Sequence, residues 1–72
     1  MQTRALLSAQ ESRVWALLAE GLSNLGIAHH LGIAEGTVEK HCSNLFAKLQ
    51  LDADPHFSRR VVAALRFHIA FP

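Results

Sequence analysis

The stretch EGTVEKHCSNLFAKL, residues 35–49, has the spacing of one amphipathic helix. One side of it carries an inner stripe at helical intervals, formed by Val38, Cys42, Leu45 and Leu49. Small or hydrogen-bonding residues occupy another side: Glu39, Lys40, Ser43, Asn44 and Ala47. That side holds no large apolar group and carries less charge than an ordinary solvated face. We therefore expect it to lie against another surface and recognise it through hydrogen bonds.

The composition allows one small domain and excludes several classes of protein. The chain has 72 residues, half of them hydrophobic, which is enough for one compact core but leaves no room for a deep substrate cavity. No apolar run approaches the ~20 residues that span a membrane. The apolar run over residues 5–7 is too short for a signal peptide, so we expect no secretory signal. The single cysteine cannot form an internal disulfide, which suits a reducing compartment. A net charge of +1 gives only weak general attraction to nucleic acid.

Helix-start and helix-stop signals divide the first half of the chain. Ser8 and Glu11 have the spacing of a capping box, which predicts a first helix over residues 9–20 that ends at Gly21. Residues 1–6 are expected to be a lead-in or linker. Along the first helix, Trp15 is expected to be partly covered, beside an inner stripe formed by Val14, Leu17 and Leu18.

A second helix and a short turn lead into residues 35–49. Ser23 is the candidate N-cap of a helix over residues 24–31, and Gly32 stands where a C-cap glycine is needed. Only residues 32–34 then separate the two helices, and a short glycine-containing turn between helices is typical of a helix-turn-helix. In that motif the second helix enters the DNA major groove.

A fourth helix is predicted over residues 55–69, with Asp54 as N-cap and Pro55 in the first turn. It is apolar nearly all round, so either the core wraps most of it or one side meets a partner. Because no strand signal occurs anywhere, the predicted fold class is all-α with four helices.

These residues carry a resemblance to a known family. The segments concerned are Leu7-Ser8 with Glu11 and Val14; Ala19–Asn24; Ile27-Ala28 with Leu31; Gly36–Val38 with His41; Asn44-Leu45; and Lys48-Leu49. Together they resemble the LuxR/NarL/FixJ-type helix-turn-helix domain, the C-terminal output domain of many bacterial response regulators and LuxR-type regulators. The resemblance covers most of residues 7–51.

The resemblance implies sequence-specific binding of double-stranded DNA at inverted-repeat promoter sites. It implies a four-helix domain, with helix 35–49 in the major groove and helix 55–69 as the contact of a homodimer. It also implies an N-terminal receiver or sensor domain in the full-length protein, as in two-component systems. No cofactor is implied.

Roles for individual residues follow from the same resemblance. Glu39 is expected to accept a hydrogen bond from a cytosine amino group, and Lys40 to reach guanine or a phosphate. Expected further contacts with base edges or phosphates come from Ser23, Asn24, Gly36, Thr37, Ser43, Asn44 and Lys48. The expected dimer interface comprises Val62, Arg66 and Ile69.

Several of these residues have alternative roles within the fold. Lys48 could instead pair with Glu11, Thr37 could cap its own helix, and Glu39 could pair with a lysine. Glu39 stands where the family commonly has lysine, so it should raise selectivity and lower nonspecific affinity. Ala34 replaces the usual serine before helix 35–49, which removes a cap of about 1 kcal/mol.

Other functions have little support in the sequence. The nearest approach to a metal site is His29, His30, His41 and Cys42, whose spacing matches no common zinc pattern. No serine or cysteine stands with a base and an acid at a catalytic spacing, so we expect no enzyme. The competing interpretations are a helix-turn-helix scaffold that binds protein, favoured by the low charge, and a sigma-factor-like promoter-recognition domain.

Overall fold

The computed structural model describes residues 6–72 and contains four helices in that part of the chain. They are α1 (Ala9–Ala19), α2 (Asn24–Leu31), α3 (Glu35–Lys48) and α4 (Arg59–Ala70). The only extended pairing among the described residues is an isolated bridge between Asp54 and Phe57. The all-α prediction is therefore confirmed. Of the predicted lead-in, residues 1–6, only Leu6 belongs to the described part.

The start of α1 has the predicted capping box. The backbone N–H of Glu11 donates to Ser8 Oγ at 3.0 Å, and the backbone N–H of Ser8 donates to Glu11 Oε1 at 2.9 Å. Both otherwise unpaired donors at the helix start are thereby satisfied. After α1 the chain turns at Gly21, whose φ of 96° is a conformation that glycine adopts without strain.

The helix-turn-helix follows the predicted signals closely. Ser23 Oγ accepts from the backbone N–H of Gly26 at 3.1 Å and caps α2. Gly32 ends α2 with a left-handed φ of 68°, which lets the chain turn into α3 within three residues. Ala34, the N-cap of α3, makes no side-chain hydrogen bond to the helix, as its methyl group requires.

The core lies where α1 packs against α3 and α4 and where α2 packs against α3. Its largest completely buried side chains are Val14, Ile27, Val38 and Leu45. Trp15 is more deeply buried than the sequence predicted, with only 4% of its surface exposed. Its Nε1–H donates to the carbonyl oxygen of Ala63 at 2.8 Å, and its ring meets Phe67 edge to face at a centroid distance of 5.2 Å. The indole therefore joins α1 to α4 by a buried hydrogen bond and by ring packing.

The predicted start of the fourth helix was wrong by four residues. Ser58, not Asp54, is the N-cap of α4, and its hydroxyl accepts from the backbone N–H of Val61 at 3.3 Å. Asp54 Oδ1 instead accepts from the backbone N–H of His56 at 2.8 Å and holds a turn. Aspartate is common in both roles because its short side chain places a carboxylate oxygen close to the backbone as an acceptor. Phe57 consequently precedes the helix and is exposed.

Candidate nucleic-acid interface

The outer face of α3 is exposed along its whole length. We call this the recognition face and define it by Gly36, Thr37, Glu39, Lys40, Ser43 and Asn44, all of which are exposed. On the other side of the same helix the buried residues are Val38, Cys42, Leu45 and Phe46. The predicted division of the helix into two sides is therefore present in the structure.

The polar side chains of the recognition face have no partner within the described part of the chain. Neither Glu39 nor Lys40 forms an ion pair there, so the alternative pairing of Glu39 with a lysine is not formed among residues 6–72. Ser43 and Asn44 likewise make no side-chain hydrogen bond to a described residue. These donors and acceptors remain available to an outside molecule.

The first turn of α3 can approach another surface closely. A Cβ atom placed on Gly36 would meet no atom within 4 Å, so packing within the domain does not demand glycine at this position. Thr37 is exposed, and Ala34 rather than Thr37 is the N-cap of the helix. The alternative role of Thr37 as the cap of its own helix is therefore not seen, and a phosphate contact by Thr37 stays a prediction.

At the start of α2, more polar side chains have hydrogen-bond partners within the domain than the sequence suggested. Ser23 Oγ is engaged by its cap, and Asn24 Oδ1 accepts from Arg60 Nη1 at 2.7 Å. The Cys42 thiol donates to the same amide oxygen at 3.6 Å. Arg60 was not among the predicted site residues, because a contact between residues 36 positions apart leaves no local signal in the sequence.

Lys48 forms the internal pair that the sequence offered as an alternative. Its Nζ lies 2.7 Å from Glu11 Oε1, and the carboxylate is almost completely buried at 5% exposure. The hydrogen bond from Lys48 and the backbone N–H of Ser8 hold the pKa of Glu11 below its ordinary value, against the opposing effect of burial. The pair ties the start of α1 to the end of α3. A phosphate contact by Lys48 stays a prediction.

His41 and Cys42 border this face and are less exposed than its members. His41 is half-buried at the edge of α3, as expected for a packing residue. Burial raises the pKa of the Cys42 thiol, so the thiol is neutral near pH 7 and a poor nucleophile. Among residues 6–72 no group of three or more histidine, cysteine and acidic side chains could hold a metal ion.

A second exposed face lies on α4 and is apolar. We call it the α4 stripe and define it by Val61, Leu65 and Ile69, which are 57%, 58% and 80% exposed. These residues are four apart and so lie along one side of the helix. Of the predicted dimer residues, Ile69 belongs to the stripe and Val62 is half-buried. Arg66 Nη1 donates to the carbonyl oxygen of Leu49 at 2.6 Å, at the end of α3.

The described residues contain no helix long and apolar enough to cross a membrane. Their arrangement defines a four-helix domain with a helix-turn-helix whose second helix presents an unpartnered polar face.

Comparison with known proteins places this domain in a family. The family described as "Bacterial regulatory proteins, luxR family" matches residues 5–61. The chain belongs to this family, as its sequence resemblance indicated.

Individual relatives are regulators of transcription. The chain is 39% identical over 57 residues to the transcriptional regulatory protein FixJ of Rhizobium meliloti (strain 1021), covering 79% of this chain and 28% of the relative. It is 56% identical over 39 residues to the C4-dicarboxylate transport transcriptional regulatory protein DctR of Rhodobacter capsulatus, covering 54% of this chain and 20% of the relative. It is 40% identical over 47 residues to the monoamine regulon transcriptional regulator of Klebsiella aerogenes, covering 65% and 21%. No solved structure gives a significant match.

Proposed function

We propose that this chain is a sequence-specific, double-stranded-DNA-binding domain of a bacterial transcriptional regulator. The observation that carries the proposal is the recognition face of α3, whose polar groups have no partner within the described residues. An exposed helix with such a face, preceded by a short helix and a tight turn, has the geometry of a helix that enters the major groove. Membership of the luxR family supports the same function.

Within this proposal the residues divide into base-contacting and phosphate-contacting groups. Glu39 accepts from a cytosine amino group, and Lys40 donates to guanine or to a phosphate. Ser43 and Asn44 lie one turn further along α3 and reach the same groove. Phosphate contacts come from the start of α2 and from the first turn of α3, at Ser23, Asn24, Gly36 and Thr37, with Lys48 as a further candidate.

Self-association completes the proposed function. The α4 stripe exposes three large apolar residues along one side of a helix, and a second copy of the chain could cover it. Two copies related by a two-fold axis would place two recognition helices on an inverted-repeat site. The interface then centres on Val61, Leu65 and Ile69, with Val62 at its edge.

The chain spans less than a third of each relative, so further domains are part of the proposal. We place a receiver or sensor domain before this one in the full-length protein, where it would control DNA binding. A regulator that acts on bacterial DNA works in the cytoplasm. The domain itself is proposed to have no catalytic activity and to need no cofactor.

The test of the proposal is DNA binding by the 72-residue chain and by a charge-reversal variant. Glu39→Lys is measured against a mixed-sequence duplex by gel shift over a range of salt concentrations. Because the new lysine neutralises a phosphate where a carboxylate repelled one, affinity should rise severalfold and the salt slope should steepen by about one unit. Asp52→Lys makes the same change in charge in the exposed loop after α3 and serves as the control.

The outcomes separate the alternatives. Equal effects of Glu39→Lys and Asp52→Lys would show that α3 does not face DNA. No binding to any duplex at low salt would favour the competing function, a scaffold that binds protein, which the net charge of +1 and the α4 stripe make physically reasonable. If binding is seen, selection from a random DNA pool then gives the preferred site and its symmetry.

A further inference from the structure

Arg60, in the first turn of α4, is hydrogen-bonded to the start of α2. Its Nη1 donates to Asn24 Oδ1 at 2.7 Å, and its Nη2 donates to the carbonyl oxygen of Leu22 at 2.5 Å. Asn24 is the first residue of α2, and Leu22 lies one residue before the N-cap. A single half-buried guanidinium therefore holds both a side chain and the backbone at one helix end.

The chemistry of this contact decides which end of the Asn24 amide faces outward. A guanidinium can only donate hydrogen bonds, whereas an asparagine amide has one oxygen that accepts and one NH₂ that donates. Arg60 therefore fixes the oxygen of Asn24 inward, and the Cys42 thiol donates to the same oxygen at 3.6 Å. The NH₂ group is the end that remains for an outside acceptor, and a phosphate oxygen is such an acceptor.

We infer that Arg60 is a positioning residue for DNA binding, acting through Asn24. It orients the Asn24 amide and the chain entering α2 before DNA arrives, and it does not itself contact a phosphate. A side chain that is already ordered loses less conformational entropy when the complex forms, so affinity rises without any added contact. The inference rests on the proposed function, because it assigns a cause to the phosphate contact at the start of α2.

The first experiment separates positioning from direct contact. Arg60→Met keeps most of the aliphatic stem and removes every donor, and Arg60→Lys keeps the charge but offers one ammonium group for two acceptors. Arg13→Met removes the same charge from an exposed position on α1 and is the control. Affinity of the 72-residue chain for a mixed-sequence duplex is measured over a range of salt concentrations.

A positioning role predicts a specific pattern in these measurements. Arg60→Met should bind about fivefold more weakly than Arg13→Met, with the same salt slope as that control. Arg60→Lys should recover less than half of the lost affinity. A slope reduced by about one unit relative to Arg13→Met, with full recovery in Arg60→Lys, would show that Arg60 touches a phosphate and would overturn the inference.

A double-mutant cycle with Asn24→Ala tests the route through Asn24. If Arg60 acts by orienting the Asn24 amide, Arg60→Met should cost clearly less affinity in the Asn24→Ala background than in the unaltered chain, because only its hydrogen bond to the Leu22 carbonyl is then left to lose. Additive losses would overturn the inference. Without DNA, the NMR signals of the Asn24 NH₂ group should shift in Arg60→Met and stay unchanged in Arg13→Met. Unchanged signals in Arg60→Met would equally overturn it.

Separate measurements distinguish a failure to fold, a failure of the proposed function and a failure of the inference about Arg60. Urea unfolding shows whether each variant is folded, and should Arg60→Met fail to fold, Arg60→Gln, whose shorter amide cannot span both oxygens, replaces it in the cycle. If the unaltered chain binds no duplex at low salt, the proposed function fails. If the unaltered chain binds and the cycle is additive, only the inference about Arg60 fails.

Discussion

The recognition face of α3 and the stripe of α4 are both exposed, yet they differ in chemistry. The α3 face carries a carboxylate, an ammonium, hydroxyls and an amide on a helix whose other side is buried. The α4 stripe carries only branched aliphatic side chains, each more than half exposed. An exposed polar face costs nothing in water, whereas exposed aliphatic surface is unfavourable until something covers it.

A chain of 72 residues can expose two chemically different faces because its helices share one core. Each helix buries one side in the same core, so each has only one side left for partners. Polar groups at α3 suit the donors and acceptors of base edges, and apolar groups at α4 suit the surface of another protein.

A substitution that destabilises the shared core should disrupt the recognition face and the α4 stripe together. Leu45 is completely buried on the inner side of α3, and Leu45→Ala should lower the free energy of unfolding by roughly 2–5 kcal/mol. That is most of the stability expected of a domain this small. Urea unfolding followed by circular dichroism measures the change. Leu65→Ala, the same substitution in the α4 stripe, should change stability by no more than about 0.5 kcal/mol. Equal losses would show that α3 is not anchored through its inner side.

A charge in the α4 stripe should affect self-association and leave folding intact. Leu65→Glu places a carboxylate where a second copy is proposed to pack, so the dimer should weaken by roughly two orders of magnitude. Sedimentation velocity over a range of concentrations measures it. Leu25→Glu introduces the same change at another exposed leucine, on α2, and should leave self-association unchanged. Equal weakening by both variants would mean that α4 is not the interface.

The buried pair that ties α1 to the end of α3 should make stability depend on pH. Because the pKa of Glu11 is lower in the folded chain than its ordinary value of 4.5, the carboxylate stabilises the fold at neutral pH. That contribution is complete above the unfolded-state pKa and is lost as the pH falls through the lower folded-state pKa. Glu11→Gln should cost about 2 kcal/mol at pH 7.

The dependence of stability on pH is measured for Glu11→Gln and for a control variant. The difference in unfolding free energy between the unaltered chain and Glu11→Gln should shrink as the pH falls below 4.5, measured by urea unfolding at each pH. Glu20→Gln, at an exposed position after α1, should show no such trend. A difference that is constant with pH would contradict the role given to the Glu11 carboxylate.

The smallest effect is expected at the start of the recognition helix. Ala34 is an N-cap without a capping side chain, and Ala34→Ser should add about 1 kcal/mol of stability by accepting from a free N–H of α3. Thermal unfolding measures the gain, and self-association should not change. Ala53→Ser, in the exposed loop before α4, should be neutral. A gain of the same size at both positions would remove the capping explanation.

Local signals predicted most of this fold. Ser8 with Glu11, Ser23 and Gly32 each act within four residues along the chain, and each does in the structure what its position in the sequence predicted. The start of α4 was predicted wrongly because Asp54 and Ser58 are both good N-caps, and the choice depends on a turn that Asp54 forms with His56. Sequence pattern alone does not rank two such candidates.

The sequence predicted which side chains of α3 are exposed. It did not predict the hydrogen bonds that join residues far apart in the chain. The amphipathic spacing of α3 correctly predicted that Glu39, Lys40 and Ser43 lie on its exposed side, and their contacts with DNA stay predictions. The hydrogen bonds of Arg60 to Asn24 and of Arg66 to Leu49 join residues 36 and 17 positions apart, so they depend on how the helices pack. Arg66, expected at a dimer contact, consequently has a partner at the end of α3.

The burial of Trp15 makes this domain suitable for optical work. It is the only tryptophan in the chain, and its indole is bonded to α4 through the carbonyl of Ala63 while its ring meets Phe67 and Phe71. Excited at long ultraviolet wavelengths, the chain therefore emits from one place, the junction of α1 and α4. Its emission should shift to the red if α4 moves away and stay constant if only the far ends of α2 and α3 rearrange. Movement of α4 away from α1 could thus be distinguished from rearrangement of the far ends of α2 and α3 without any attached dye.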